Sequence, residues 1–368
     1  MNDNKLIVTV YAISKNEEKF IDRWYNSMKE ADNIVVLDTG STDNTVKKLK
    51  EKGVLVKQEI INPWRFDVAR NKSLELVPQS TNICVCTDLD EVFTTGWRKK
   101  LEEAWKKNTK QLKYVYVWNV LPNGQNGTTF LYEKIHTLKG FKWKYPVHEV
   151  LQSSTQIKPE EVVVCKDIVL RHYPDDKKSR AQYLNLLELS VKEDPQSDRN
   201  THYLAREYMF NFKYDEAIKT FKKHLKLKTS TWKEERSASL RYMGDCYFYK
   251  NNYNKSKECY EQAIKECLYI REPYLSLAKY YYFKKDYLNC IFVLKNMLEI
   301  KDKALSYMTN PDCWNEYPYD LLSFSYFNLN DYYQAKNYAQ IAFNLSPNDK
   351  RLKNNLEFYN SLIYKNLK

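Results

Sequence analysis

The chain reads as an α/β unit followed by an all-α array of helical-hairpin repeats. Three observations predict this. Short apolar runs alternate with amphipathic segments up to about residue 175, the strand character vanishes beyond Asp194, and small residues and tyrosines then recur at fixed offsets. At 368 residues the chain is long enough for two units, each with its own core.

In the first half the apolar runs are LIVTVYA (6–12), NIVVLD (33–38), VLVKQ (54–58), NICVCTD (82–88) and YVYVWNVL (114–121). Runs of this length divided by helical segments predict a parallel sheet with crossover helices. Between the first two runs, Ser14 to Glu17 fits a capping box. Phe20, Ile21, Trp24, Tyr25 and Met28 follow at helical spacing. The turn-forming stretch PNGQNG (122–127) separates YVYVWNVL from TTFLYEKI and predicts a hairpin beside the parallel core. The expected organisation is an α/β unit over 1–175, a helical linker over 176–198 and a repeat unit over 199–368.

The repeats follow from one alignment. With Ala205, Gly244, Ala278 and Ser323 as equivalent small positions, a tyrosine stands three residues later each time (Tyr208, Tyr247, Tyr281, Tyr326). Another stands nine residues later (Tyr214, Tyr253, Tyr287, Tyr332), and a small residue twelve later (Ala217, Ser256, Cys290, Ala335). The offsets between copies bracket the tetratricopeptide period of about 34 residues. Small residues let paired helices approach, and tyrosines fill the gaps between hairpins.

Composition is globular, with 43% hydrophobic and 29% charged residues, 31 tyrosines and only 7 glycines. The net charge of +12 divides into 27 basic against 23 acidic residues for positions 1–175, and 32 against 24 for the rest. The excess is mostly lysine, which suits a solvated helix exterior better than a phosphate-recognising site. Of eight cysteines only Cys84 and Cys86 lie close together, and no CxxC pair exists, so nothing reads as zinc. On a strand these two share a face and read as small buried hydrophobes. The N-terminus lacks a signal-peptide layout, and no stretch approaches 18 uninterrupted apolar residues. A reducing, cytoplasmic location is expected.

Three clusters carry chemistry. In VVLDTGSTDNTV an apolar strand ends at Asp38 and a helix begins near Ser41 to Asp43. This places a carboxylate where α/β sheets bind ligands, able to accept hydrogen bonds from a base or ribose. In CVCTDLDEVF a buried strand runs into Asp88, Asp90 and Glu91, whose mutual repulsion favours a cation. Asp88 and Asp90 offer hard oxygen ligands to Mg²⁺ or Mn²⁺ bridging a diphosphate. In KWKYPVHEVL, Trp143 and Tyr145 offer ring faces to a sugar or acceptor. Glu149 beside His148 is a candidate general base for a hydroxyl or thiol.

Together, AISKNEE, DTGSTDNT, FDVARN, DLDE, PVHE and RHY, in this order over residues 5 to about 175, resemble the family 2 glycosyltransferases. Joined to tetratricopeptide-like repeats, the layout resembles the bacterial subgroup of sublancin-type peptide S-glycosyltransferases. The resemblance implies a GT-A (Rossmann-like) fold and a nucleoside-diphosphate sugar donor, most often a UDP-sugar. It places Ala12, Ser14, Asn16, Glu17 and Asp38 around the nucleoside and Arg70 at the donor phosphates or sugar. Asp88 falls at ribose or metal, Asp90 and the late His172 at the metal, and Glu149 at the catalytic base.

The expected reaction is displacement with inversion at the anomeric carbon, Glu149 or His148 taking the acceptor proton. The expected acceptor is a peptide or protein side chain held by the repeats. A cell-surface glycan or teichoic-type polymer is the alternative, and modified DNA the third, on account of the positive charge. A non-catalytic repeat scaffold and a nucleotidyltransferase are the competing classes, and a homodimer through the tyrosine-rich repeats is open.

Overall fold

The computed structural model describes residues 5–121, 124–175 and 181–366. The chain divides into two compact units, 1–193 and 194–368. Pro122 and Asn123 of the expected turn, and 176–180 of the expected linker, lie outside the described residues.

In the first unit the chain runs β1 (Val8–Ser14), α1 (Ile21–Met28), β2 (Asn33–Asp38), α2 (Thr45–Glu51), β3 (Leu55–Gln58), α3 (Phe66–Leu74), β4 (Ile83–Thr87) and β5 (Glu91–Phe93). It continues through α4 (Trp97–Ala104), β6 (Gln111–Val117), β7 (Thr129–Thr137), β8 (Phe141–Lys144), β9 (Val150–Ser153), β10 (Val162–His172) and α5 (Tyr183–Glu193). Eight strands form one sheet in the order β3-β2-β1-β4-β7-β6-β10-β5, and β8 and β9 form a separate hairpin. The neighbours β3, β2, β1 and β4 pair in parallel. β7 is antiparallel to β4 and β6, and β10 is parallel to β6. All of α5 falls within the first unit.

The continuous apolar runs follow from burial on both faces of the sheet. On one face Val8, Val10, Ala12, Ile83 and Val85 pack with Ile21, Trp24 and Met28 of α1 and Trp97 and Leu101 of α4. Alternate residues Tyr11, Val35, Cys84 and Cys86 face a second core with Val77 and Trp143. Each large side chain so buried contributes roughly 1.5–3 kcal/mol.

Several boundaries differ from the pattern reading. Ser14 ends β1 and bonds Asp38 instead of capping a helix, and α1 starts only at Ile21 with no side-chain cap. α2 starts at Thr45, where Asp43 accepts from the Thr45 N–H at 3.0 Å. β10 is hidden in the sequence because its register shifts between Cys165 and Val169, where Lys166 and Asp167 are exposed and break the alternation.

The second unit contains α6 (Asp198–Phe210), α7 (Tyr214–Lys226), α8 (Lys233–Tyr249), α9 (Tyr253–Glu266), α10 (Glu272–Phe283), α11 (Tyr287–Glu299), α12 (Tyr317–Asn328), α13 (Tyr332–Leu345) and α14 (Lys350–Asn366). The aligned positions have direct physical meanings. Ala205, Ala278 and Ser323 are fully buried in first helices, as are Ala217, Ser256, Cys290 and Ala335 in second helices. Tyr214, Tyr253, Tyr287 and Tyr332 each begin a second helix. Between them every hairpin turns through a left-handed residue at one register position: Phe212, Asn251, Lys285 and Asn330. The next N–H reaches back to the carbonyl of Tyr208, Tyr247, Tyr281 or Tyr326. This is a Schellman closure repeated four times, and the first tyrosine of each copy supplies its acceptor.

The longest offset between copies, from Ala278 to Ser323, has its own cause. After α11 the chain runs back as a strap over 300–316. Tyr307 stacks on Tyr203 of α6 at 5.9 Å and donates to Glu235 of α8, and the Asn310 N–H bonds Glu272 of α10 at 2.8 Å.

Gly244 marks a close helix contact. A Cβ there would meet the Tyr260 ring at 2.6 Å, and that ring is buried and anchored through its hydroxyl to Asp245. Gly244→Ala is expected to destabilise the second unit by about 1–3 kcal/mol despite the better helix propensity of alanine. Urea unfolding followed by circular dichroism checks this; equal or higher stability would contradict it.

Candidate functional site

Parallel pairing sets the carboxyl ends of β1, β2 and β4 side by side. Ser14 is in register with Asp38, and Ala12 with both Val36 and Thr87. The loops after these strands therefore share one edge, where such sheets bind ligands. Asp38 is fully buried and accepts from Ser14 Oγ at 2.9 Å, from Ser41 Oγ, and from the N–H groups of Gly40 and Ser41. Asn16, at φ 55°, donates its N–H to Ser41 Oγ and accepts from the Thr42 N–H, both at 2.8 Å. The Glu17 N–H bonds Thr45 Oγ1.

The expected nucleoside residues are thus brought together, but in a different arrangement from the one expected. Ala12, Ser14, Glu17 and Asp38 are buried, and the Asp38 carboxylate spends its lone pairs lacing two loops. Asn16 and Thr42 remain exposed on the rim.

Beyond β4 lies a buried charge network. Arg70 of α3 is 4% exposed and donates through Nη2 to both Asp88 oxygens at 2.9 and 3.1 Å, and through Nε to Glu149. Lys134 of β7, 3% exposed, reaches Asp88 at 3.2 Å and Glu91 at 3.1 Å. Glu91 is fully buried, accepting from the Asp88 N–H and the Tyr116 hydroxyl, both at 2.9 Å. Burial works against the charge on Asp88, but Arg70 and Lys134 outweigh it and hold the carboxyl well below its usual range. Burial likewise opposes the charge on Lys134, and Asp88 and Glu91 hold its pKa well up. Sequence reasoning missed Lys134. The available signal was a lysine within the strand TTFLYEKI, since lysine is almost never fully buried without a carboxylate partner.

Asp90 stands apart from this network, with Oδ2 3.3 Å from His172 Nε2. The Trp118 carbonyl lies 2.9 Å from His172 Nδ1 and requires a proton there. In the neutral ring Nε2 then faces a carboxylate oxygen, an arrangement that needs a proton or a cation between two acceptors. Burial opposes protonation of His172, but Asp90 raises its pKa above the ordinary value. A hard divalent cation fits this donor pair, since Mg²⁺ is typically held by one or two protein ligands plus phosphates and water. Among the described residues no group of three or more ligating side chains converges. Asp88, expected as a further ligand, is committed to Arg70 and Lys134.

The segment 141–150 places its candidates in separate surroundings. Trp143 is 1% exposed and its indole lies 5.2 Å under the Arg70 guanidinium. It therefore offers no open face to a sugar, which corrects the expectation for this residue. Its Nε1 donates to the Tyr11 hydroxyl at 2.9 Å, which in turn bonds His136 Nε2 at 2.8 Å. His136 Nδ1 lies 2.7 Å from the Thr137 carbonyl. Tyr145, at φ 85°, lies under the Lys144 ammonium. His148, at φ 51°, turns its ring edge-on to Tyr183 of α5, whereas the adjacent Glu149 joins Arg70.

Two outcomes follow from these networks. Lys134→Met should cost about 3–5 kcal/mol in urea unfolding, because Glu91 is left buried without its counter-charge; a loss below about 1 kcal/mol would contradict the network. Burial pushes His136 down to about 4. The unfolded chain then takes this proton first, so the stability is present above about pH 6.5 and lost as pH falls toward 4, by about 3 kcal/mol. Subtracting the pH profile of His136→Gln from that of the natural chain isolates this slope; coincident profiles would contradict it.

Residues 9–158 match the glycosyl transferase family 2 model, and residues 237–267 match the tetratricopeptide repeat model. No curated protein matches the chain. Similar solved structures include the APC/C hetero-tetramer Cut9–Hcn1, at 19% identity over 50% of this chain and 33% of that one, TM-score 0.39. MamA is 18% identical over 48% and 96%, TM-score 0.38. The C-terminal part of a TPR repeat-containing protein from Cytophaga hutchinsonii is 17% identical over 51% and 68%, TM-score 0.42. The chain thus spans a third of the Cut9–Hcn1 chain it matches, and these likenesses carry no functional argument. The chain thus carries a domain that matches the glycosyl transferase family 2 model, followed by a helical unit that matches the tetratricopeptide repeat model.

Proposed function

We propose that the first unit moves a sugar from a nucleoside-diphosphate sugar, UDP being the first choice, to a peptide or protein side chain, with inversion at the anomeric carbon. The carrying observation is the Asp90–His172 pair, Oδ2 and Nε2 3.3 Å apart at the carboxyl edge of the sheet, in a domain that matches family 2. Asp90 and His172 would hold a divalent cation, which when bound supplies positive charge to the departing diphosphate. The loops laced by Asp38, Asn16 and Ser41 form the wall for the nucleoside.

Arg70 Nε donates to Glu149 Oε1, so Oε2 is the oxygen to receive the acceptor proton. The same guanidinium grips Asp88, so its charge is already matched by two carboxylates. Its role in this reading is to position Glu149 and Asp88, and not to clamp phosphate directly.

The repeats support a protein or peptide acceptor, since stacked hairpins present extended binding surfaces. Part of the first-helix surface is covered by the 300–316 strap, so an acceptor uses what lies beyond Tyr307 or displaces it. A polyanionic glycan or DNA is the second reading, favoured by the exposed Lys219, Lys222, Lys223 and Lys226 along α7. Acceptor binding that collapses between low and moderate salt would select it.

Glu149→Gln should lower sugar transfer by about 10²–10⁴-fold while leaving nucleoside-diphosphate binding unchanged in calorimetry. Transfer at the natural rate would remove Glu149 from the role and turn attention to His148. Pyrophosphate in place of a nucleoside diphosphate as product would favour the nucleotidyltransferase class.

A further inference from the structure

Trp118 is the one exposed tryptophan among the described residues of the first unit, at 42%, whereas Trp24, Trp97 and Trp143 are at most 1% exposed. It follows directly on β6. Its ring centroid lies 4.8 Å from that of His172 and 6.4 Å from that of Tyr116. Backbone and side chain have separable tasks. The Trp118 carbonyl fixes the His172 tautomer, and the Trp118 N–H donates to the Thr128 carbonyl at 2.9 Å. The indole is needed for neither bond. Leaving so much aromatic surface in water forgoes burial energy, so stability gives no reason for it.

We propose that the Trp118 indole is the platform for the donor sugar, a pyranose whose C–H face lies on the ring. An indole face carries negative quadrupolar density that attracts polarised C–H bonds. The assignment rests on the transferase reading. The donor sugar is joined to the terminal phosphate through a single oxygen, so it lies beside whatever holds that phosphate, and Trp118 adjoins the Asp90–His172 pair. The acceptor belongs to another side. Glu149 is tied to α3, which packs on β1, β2 and β8. Trp118 follows β6 and His172 ends β10, and both strands are separated from β1 by β4 and β7. The sugar then sits between the indole and the incoming acceptor.

The test is calorimetry on the full chain with Mn²⁺, titrating uridine and guanosine diphosphates and a panel of their sugar conjugates. Trp118→Ala should erase about tenfold of the affinity advantage that the best sugar nucleotide holds over its parent diphosphate. Affinity for the parent diphosphate should stay unchanged, and Trp118→Phe should keep most of the advantage. An undiminished advantage in Trp118→Ala overturns the assignment. So does an equal loss for the parent diphosphate, which would mean that the ring acts by positioning His172. So does a natural chain that binds a diphosphate but no sugar conjugate more tightly. A natural chain that binds no nucleotide at all contradicts the transferase reading itself.

Discussion

Arg70 of α3 and Lys134 of β7 meet at Asp88, at the carboxyl end of β4. The rest of the site depends on this meeting. Asp88, Glu91 and Glu149 bring three carboxylates to the edge, and two buried cations offset two of them. Adding Asp90 leaves a surplus of two negative charges beside His172. Concentrated negative charge around a carboxylate–histidine pair favours a divalent cation there.

The same network explains the supporting architecture. Arg70 rests on Trp143, which is locked through Tyr11 to His136, so a chain of hydrogen bonds across the sheet fixes the guanidinium from below. Glu149 is fixed through Arg70, and Asp88 through both cations. Each group is held by others that are themselves buried, the arrangement required of a preorganised electrostatic site. In the helical unit the organising constraint is steric: left-handed closures after each first helix, and small residues where helices touch.

Much of the fold was legible because it repeats simple rules. β2 coincides with the run 33–38, and β1, β3 and β4 lie within two residues of their apolar runs. The tyrosine register marked the start of every second helix in four hairpins. Less legible were features made by pairing across the chain. β10 is interrupted by an irregularity at Cys165, and β5 has only three residues. Lys134 looked like an ordinary strand lysine until β7 was placed between β4 and β6. Local pattern also misplaced Trp143, because a tryptophan in a proline-containing turn looks like a surface platform. Its neighbours in space, Tyr11, Cys84 and Cys86, come from two distant strands. Asp38 was correctly located at a strand end, but only the folded loop shows that Ser14, Gly40 and Ser41 use up its oxygens.

Asp88 and Asp90, neighbours in one short acidic motif, have different surroundings in the fold. Asp88 is paired with Arg70 and Lys134, and Asp90, beside His172, is the one proposed to hold the cation. Calorimetric titration of Mn²⁺ into Asp88→Asn and Asp90→Asn, in the presence of a nucleoside diphosphate, tests this most directly. The account predicts that Asp90→Asn abolishes measurable Mn²⁺ binding, while Asp88→Asn retains it within about tenfold. Retention by Asp90→Asn with loss in Asp88→Asn would contradict it.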